Sequence, residues 1–522
     1  MTDAPAPAVR AWKTTALLMI ALAAGLPLAA GLALIFPRGS FWAGWLAGSL
    51  LLVPGIWGLL AAWKWAGAGR ALGWMVALAF LLRLGLGAAI SVGLPLYGYD
   101  EPEQRAGYVF YDAYRRDGEA WELAESGAPL MVAFTLDFAT DQYGGLLALS
   151  ALVYRGLSPD AHRPYLMIIL GAMAAAAGLP FFYRALRERW NAGVALAAGW
   201  ILALYPDGVL LGASQMREPF LIGLIAAAFW GVVAWPRNRR AAAAVLGASL
   251  VLMALFSSKI VLPAAGVLAV WFFLDHLYEK LSRGARIAVW VGVAAAGVLV
   301  AVLFWEWFAQ ALFWDIRQIQ STSGQGELAV AEIGEVFRPV FYTLYGLARP
   351  LLPAALAATR PPWIWKAIDV TRATGWYALA PLLLYSFWTV FKARPVAARR
   401  ALLWFAAAVL AWLLISSARA GGDQWDNPRY RAIFLPWMAL LAGWGLRWAL
   451  EQRDAWLARW LVVEVIFLGF FTQWYLTRYY PELGWVKMPF WRYPAWILAL
   501  SALVLGGGWL WDRLRRKRSS AT

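Results

Sequence analysis

Residues 71–101, ALGWMVALAFLLRLGLGAAISVGLPLYGYDE, show what decides the fold of this chain. The first 26 of them carry a single charge, Arg83, and as an α-helix they would extend about 39 Å. That length exceeds the roughly 30 Å hydrocarbon core of a bilayer. Arg83 is therefore expected to face other helices and to have a partner there. The stretch predicts a transmembrane helix that ends at the acidic pair Asp100–Glu101 on the membrane surface.

Thirteen other apolar runs have the same character. The hydrophobic share of the chain is 62% and the charged share only 15%, and a soluble domain of that composition could not cover its surface with polar groups. The chain is therefore predicted to be an all-α polytopic membrane protein with about 14 transmembrane helices and structured external loops. The first run is too long for a signal-peptide core and is read as a retained span. The thirteen runs are residues 14–36, 41–62, 164–184, 192–206, 217–235, 241–257, 260–276, 287–305, 374–391, 401–417, 432–449, 460–477 and 493–511.

Basic residues mark every second connection between these runs. Together with the two ends of the chain, these connections hold 25 of the 46 Lys and Arg residues but only 7 of the 30 Asp and Glu residues. Because cytoplasmic loops of membrane proteins are rich in Lys and Arg, this side is predicted to be cytoplasmic. The segments are residues 1–13, 63–70, 184–191, 236–240, 275–286, 392–400, 447–459 and 512–522. A net charge of +16 is explained by this bias, and no nucleic acid partner is expected.

The pattern also divides the chain. Residues 1–70 form two N-terminal spans, and residues 71–305 a core that contains a first external loop at about 97–163. Residues 306–373 form a second external loop, and residues 374–522 the C-terminal transmembrane helices. The chain has no Cys and two His, which excludes thiolate metal sites and a histidine-built metal site. His162 is expected to be a surface residue beside Arg163.

The first external loop holds the candidate catalytic residues. Residues 97–127, YGYDEPEQRAGYVFYDAYRRDGEAWELAESG, contain eight acids and a predicted helical stretch from Gln104 to Ser126. A carboxylate at this surface could act as a general base toward an acceptor from outside. Candidates are Asp100, Glu101, Asp112 and Asp117, with Asp100 favoured because it follows a span directly. The alternative is a solvated acidic helix that pairs with its own arginines.

Cations at the outer ends of later spans suggest an anion-binding function. Arg217 and Glu218 begin one span, and Lys259 lies at a turn between two others. Arg429 and Arg431 precede a fourth, in GGDQWDNPRYR. Such cations suit a lipid phosphate or pyrophosphate. The alternatives are an Arg–Glu pair that caps a helix, ordinary headgroup contacts, and pairing with Asp423 and Asp426.

Residues 71–240 resemble the GT-C membrane glycosyltransferases, in particular the bacterial protein O-mannosyltransferases and the aminoarabinose transferases of lipid A. The resemblance begins with a span that leads to Asp100–Glu101. It continues with DQYGGLLALSALVYRGLSP at 141–159, FFYRALRERW at 181–190 and WILALYPDGVLLGASQMREPF at 200–220. Two spans precede the matching region, unlike the usual pattern. Asp117, four residues before Trp121, matches the family's acid-to-aromatic spacing as well as Asp100–Glu101 matches its paired acids.

The resemblance implies transfer of a sugar from a polyprenyl-phosphate donor to a lipid, glycan or protein acceptor. The enzyme would lie in the plasma or inner membrane, in contact with membrane lipids, with its active site facing the periplasm or cell exterior. A loop carboxylate would deprotonate the acceptor, and outer cations would hold the carrier phosphate. Some relatives use a divalent metal, so a metal is possible. The competing interpretations are a polysaccharide polymerase or O-antigen ligase, and a lipid-linked sugar flippase or other transporter.

Overall fold

A computed structural model describes residues 14–135, 143–303, 338–420 and 426–519, and every regular element in those ranges is helical. The chain forms two compact units, Met1–Gly266 and Val267–Thr522. The first unit contains α1 to α11 and the start of α12. These helices are Thr14–Ile35 (α1), Phe41–Trp65 (α2), Arg70–Tyr97 (α3), Pro102–Arg105 (α4), Tyr111–Ser126 (α5), Gly145–Leu157 (α6), Tyr165–Arg189 (α7), Ala192–Leu204 (α8), Pro206–Gly212 (α9), Glu218–Ala234 (α10), Arg239–Phe256 (α11) and Ser258–His276 (α12).

The second unit begins within α12. Its further helices are Arg283–Leu303 (α13), Arg338–Ala348 (α14), Leu352–Ala357 (α15), Trp363–Thr389 (α16), Val396–Ala420 (α17), Asp426–Ala432 (α18), Leu435–Gln452 (α19), Trp456–Tyr479 (α20) and Arg492–Ser519 (α21). Of the predicted second external loop, residues 306–337 lie outside the described ranges. The rest contains α14, α15 and the first turns of α16.

Each of the fourteen predicted apolar runs overlaps one of these helices over most of its length. In the described ranges, nine helices are long and apolar enough to cross a bilayer: α1, α2, α3, α7, α11, α12, α17, α20 and α21. The pair α8 and α9 becomes a tenth if it is counted as one bent span. The prediction of an all-α, multi-pass membrane protein is confirmed, whereas the number of fourteen spans stays a prediction.

Helix α7 is the centre of the first unit. It packs against α2, α3, α8 and α10. Of its apolar 18-residue stretch, 72% is buried, against 44% or less for the other candidate spans. The contact with α10 is close because both helices present glycine. A Cβ added to Gly178 would lie 2.7 Å from the Gly223 Cα. Small residues of this kind let helix backbones approach each other in membranes.

The bent pair α8 and α9 depends on Arg83. The two helices meet at Pro206 with an angle of 51°, and a break of this kind leaves carbonyl groups at the end of α8 without helical partners. The Arg83 guanidinium is buried and donates to the Ala203 carbonyl at 3.1 Å and to Ala79 at 2.7 Å. The prediction that Arg83 faces other helices and has a partner is confirmed.

In the first unit, the contacts between connections agree with the prediction that every second connection is basic and lies on one side. At the end of α7 near Arg189, Arg184 donates to the Trp65 carbonyl at 3.0 Å, so two basic connections meet there. At the opposite end of α7, Arg163 donates to the Ser40 carbonyl at 3.0 Å, in the connection between α1 and α2. The basic connections and the acidic loop therefore lie at opposite ends of this unit.

The basic connections also meet one another within the second unit. Arg400 pairs with Glu279 at 2.5 Å, which joins two of them. Lys392 lies 3.6 Å from Asp454, which brings a third into contact. Arg459 and Asp512 form a further pair at 2.6 Å. The connections that the charge bias predicts to be cytoplasmic therefore lie on one side of this unit.

Single-cysteine labelling tests this orientation, since the natural chain has no Cys. We expect Arg239→Cys to resist a membrane-impermeant maleimide in intact cells and to react after permeabilisation. Glu101→Cys is the matched control and should react in intact cells. Both positions are exposed, so the difference reports the side of the membrane. Labelling of the Cys at 239 in intact cells would reverse the assigned orientation.

Candidate functional site

The four candidate carboxylates occupy different environments. Asp100 has 89% of its side chain exposed and pairs at 2.9 Å with Arg105, which is exposed as well. Glu101 and Asp112 are also exposed, whereas Asp117 is 3% exposed. Asp117 is therefore the only buried carboxylate of the four.

Helix α5 turns Asp117 inward because its buried residues recur at helical spacing. The predicted helix Gln104–Ser126 is in fact divided into α4 and α5 by Gly107. Gly107 has a φ of +87° and packs against α3, where a Cβ would lie 2.5 Å from the Ser91 carbonyl oxygen. This turn sends Tyr108 back toward Asp117. The buried face of α5 consists of Ala113, Arg116, Asp117, Ala120 and Leu123.

Three side chains hold the Asp117 carboxylate. The Tyr108 hydroxyl donates to Oδ2 at 2.5 Å, and the Tyr154 hydroxyl donates to Oδ1. The His162 Nε2 lies 2.8 Å from Oδ2. The Trp121 ring stacks on the His162 imidazole, with ring centroids 5.2 Å apart and planes inclined by 22°. The carboxylate, the imidazole and both phenols therefore form one connected network, which we call the Asp117 centre.

Electrostatics keep the two phenols protonated. Burial raises the pKa of Tyr108 well above its usual value, and the charge and hydrogen bond of Asp117 raise it further. Burial, followed by the Asp117 charge, raises the pKa of Tyr154 in the same direction. Both hydroxyls are thus donors at any physiological pH. Asp117 accepts one hydrogen bond from each of them.

The prediction that His162 is a surface residue holds only in part. Only 22% of its side chain is exposed, and it is a member of the Asp117 centre. Its neighbour Arg163 is buried and bonded to Asp160, with one N–O distance of 2.5 Å. That ion pair lowers the pKa of Asp160 and fixes the backbone just before α7. No local pattern in the sequence indicated that His162 would reach a residue 45 positions earlier.

The connection between α9 and α10 lies against α5. The buried Arg116 donates to the Gln215 carbonyl at 2.8 Å. Gln215 has a φ of +53°, a left-handed conformation that is uncommon for a residue other than glycine. Strained backbone of this kind is retained where the surroundings fix it, often at functional sites. The Arg116 contact joins this connection to the helix that carries Asp117.

Arg217, two residues further on, shares an aromatic ring with Lys259. Its guanidinium carbon lies 4.7 Å from the centroid of Tyr143, and the Lys259 Nζ lies 5.8 Å from the same centroid. Arg217 also lies 3.8 Å from Glu218, which is fully buried at the start of α10. Two predicted phosphate ligands from separate connections are therefore brought together, and we call them the cation pair.

Arg429 and Arg431 belong to the second unit and are buried there. The Arg431 guanidinium lies 3.5 Å from the centroid of Trp376 and donates to the Arg349 carbonyl at 2.9 Å. Arg429 lies over the ring of Tyr430 at 5.2 Å. Asp423, considered as their partner, lies outside the described ranges, as does the side chain of Asp426.

Within the described ranges, no group of three or more His, Asp or Glu side chains is placed to hold a metal ion. No protein-family model matches the chain, and a search of curated proteins finds no match. The fold defines the class, an all-α multi-pass membrane protein. The resemblance to GT-C enzymes stays a prediction.

The Asp117 centre should contribute to stability. We expect Asp117→Ala to leave buried donors without an acceptor, at a cost of about 1–3 kcal/mol for each unsatisfied group. The melting temperature in detergent, followed by tryptophan fluorescence, should fall by several degrees. Asp100→Ala removes an exposed carboxylate from the same loop and should leave the melting temperature unchanged. Equal melting temperatures for both variants would contradict the network.

Proposed function

We propose that this chain is a membrane glycosyltransferase that moves a sugar from a polyprenyl-phosphate donor to a hydroxyl acceptor on the outer face. One observation carries the proposal: the Asp117 centre and the cation pair are built around the same connection, residues 213–217. Arg116, beside Asp117, binds its backbone, and Arg217 within it forms the cation pair. The acid–base and anion-binding parts of such a reaction therefore have side chains in one unit.

The chemistry requires both parts. A new glycosidic bond forms between the acceptor oxygen and the anomeric carbon, while the bond from that carbon to the phosphate oxygen breaks. The acceptor loses a proton, and a positioned base typically contributes about 10²–10⁴-fold to such a step. The phosphate leaves with the bonding electrons, and the cation pair would stabilise the charge that develops on it.

The base is placed at the Asp117 centre in this proposal. The sequence favours Asp100, but its position at the end of α3 leaves it in solvent and paired with Arg105. Surface pairs of this kind hold a side chain only weakly. Asp117 is fixed by three partners on separate parts of the loop, and preorganisation of that kind is what catalysis needs.

The carrier phosphate is assigned to the cation pair. Lys259 is exposed and Arg217 only partly buried, so both side chains are accessible from outside the protein. Arg431 is fully buried and stacks on Trp376. We therefore give Arg431 and the neighbouring Arg429 a role in their own unit, outside the phosphate site.

The proposed topology has fourteen spans with both ends in the cytoplasm. Four helices would be added to the nine candidate spans and the bent pair: α10, α13, α16 and α19. An even number returns the chain to the side on which it began. The Asp117 centre would then face the periplasm or cell exterior of a plasma or inner membrane, where lipid-linked sugars are presented.

A lipid-linked sugar flippase is the second candidate. The break between α8 and α9 favours it, since transporters often bind substrate at discontinuous helices. A flippase needs neither the Asp117 centre nor a leaving phosphate. A polymerase or ligase that acts on diphosphate-linked glycans would use similar cations and depend less on an acid in this loop.

Transfer assays on purified protein separate these functions. We expect Asp117→Asn to lower the transfer rate by about 10²-fold or more and to keep donor binding. Asp100→Asn, Asp112→Asn and Glu101→Gln are the controls, with rates within a few-fold of wild type. If all four variants transfer normally, the loop is not catalytic. A wild-type protein that moves the lipid-linked sugar across a vesicle membrane without transferring it is a flippase.

The cation pair makes a separate prediction about affinity. Loss of one charge-assisted contact costs about 1.5–3 kcal/mol, so Arg217→Ala and Lys259→Ala should each weaken binding of a polyprenyl phosphate by roughly 10- to 150-fold. Arg105→Ala, which removes an exposed cation on the same loop, is the matched control. Unchanged affinity in both site variants would place the phosphate elsewhere.

A further inference from the structure

The geometry of the Asp117 centre separates the carboxylate from any acceptor. Its side chain is 3% exposed, and its two oxygens receive contacts from Tyr108, Tyr154 and His162. An acceptor hydroxyl would have to displace one of these partners to reach Asp117.

His162 is the member of the centre that an acceptor can reach. Its side chain keeps 22% of its surface exposed, and its Nε2 points to Asp117. In the tautomer that a general base requires here, Nε2 carries the proton that is donated to the Asp117 carboxylate, and Nδ1 keeps a lone pair. In the part of the chain that the structure describes, His162 forms no hydrogen bond other than that with Asp117.

The orientation of the imidazole is fixed on two further sides. Trp121 stacks on its face at 5.2 Å, and Tyr154 meets it edge to face, with centroids 5.0 Å apart and planes at 90°. Trp121 lies on α5 and Tyr154 on α6, and each of these helices has a buried face of its own. A ring held in this way keeps Nδ1 in one direction, as a general base requires.

We propose that His162 is the general base of the transfer reaction and that Asp117 is its positioning residue. This inference rests on the proposed function. The acceptor proton passes to Nδ1 as the acceptor oxygen bonds to the anomeric carbon, and the phosphate oxygen leaves with the electron pair of the broken bond. Asp117 then faces an imidazolium and balances its charge, the role an aspartate has beside a catalytic histidine.

Chemical modification tests the geometry without any need for activity. The chain contains two histidines, so diethyl pyrocarbonate followed by mass spectrometry reports each one separately. We expect carbethoxylation of His162 in the wild-type protein and protection by a bound acceptor. An unreactive His162 in the folded wild-type protein would show that Nδ1 is not available and would overturn the proposal.

Kinetics test the role. We expect His162→Asn to lower kcat by about 10²–10⁴-fold, with the donor KM within a few-fold of wild type and binding of polyprenyl phosphate retained. His276→Gln, the matched control at the end of α12, should leave kcat unchanged. Free imidazole should restore part of the rate of His162→Ala, which a purely structural histidine would not allow.

The pH profile separates base from scaffold. Asp117 faces His162, and Tyr108 and Tyr154 face Asp117. The positive charge of Arg38 acts on Tyr154. The acid limb of kcat/KM should disappear in His162→Asn. Full activity in His162→Asn together with a dead Asp117→Asn would return the base to the carboxylate and keep the glycosyltransferase. A wild-type protein with reactive His162 but no transfer from any lipid-linked sugar would instead refute the proposed function.

Discussion

The bilayer denies water to the backbone, and the architecture follows from that constraint. Every peptide group in the hydrocarbon region needs a partner within the protein, so the described spans are helices and any break needs a substitute donor. Arg83 supplies it where α8 gives way to α9. The break in turn redirects the chain into the connection that contains Gln215 and Arg217. One buried guanidinium inside the first unit thus supports the backbone on which the candidate site is built.

The Asp117 centre obeys the same rule for a charge. A buried carboxylate is stable only when its oxygens are satisfied, and Asp117 obtains its partners from three places: the turn after α4, helix α6 and the residues before α7. Those partners tie together the parts of the acidic loop that the structure describes. The Gly107 turn belongs to the same arrangement, since Tyr108 follows it directly and bonds to Asp117 on α5. The residues that are proposed for catalysis are therefore also residues that hold the loop together.

Sequence reasoning located the helices well and the site only in part. Apolar length is a local property, so every predicted run overlaps a helix, and the prediction for Arg83 required only its apolar neighbours. The acids were found as a cluster, but their ranking failed to anticipate burial. Asp100 is close to a span in sequence and yet lies in solvent, whereas Asp117 is buried by the helical spacing of its own neighbours. His162 was missed because its partners Tyr154 and Asp117 are distant in sequence, and only the folded loop brings them together.

The first unit has separate candidate sites for the two proposed substrates: the cation pair for a donor from the membrane, and the Asp117 centre for an acceptor from outside. Lys259 is exposed and shares Tyr143 with Arg217, and such cations on an aromatic ring suit a lipid phosphate at the headgroup plane, where they remain hydrated until the anion binds. Aromatic rings line the Asp117 centre, and His162 is its most exposed member, with 22% of its side chain exposed. A base in that setting would be screened from bulk water. An acceptor hydroxyl that displaces the remaining water would then react with the donor sugar in place of water. The arrangement would favour transfer to an acceptor over loss of the sugar to water.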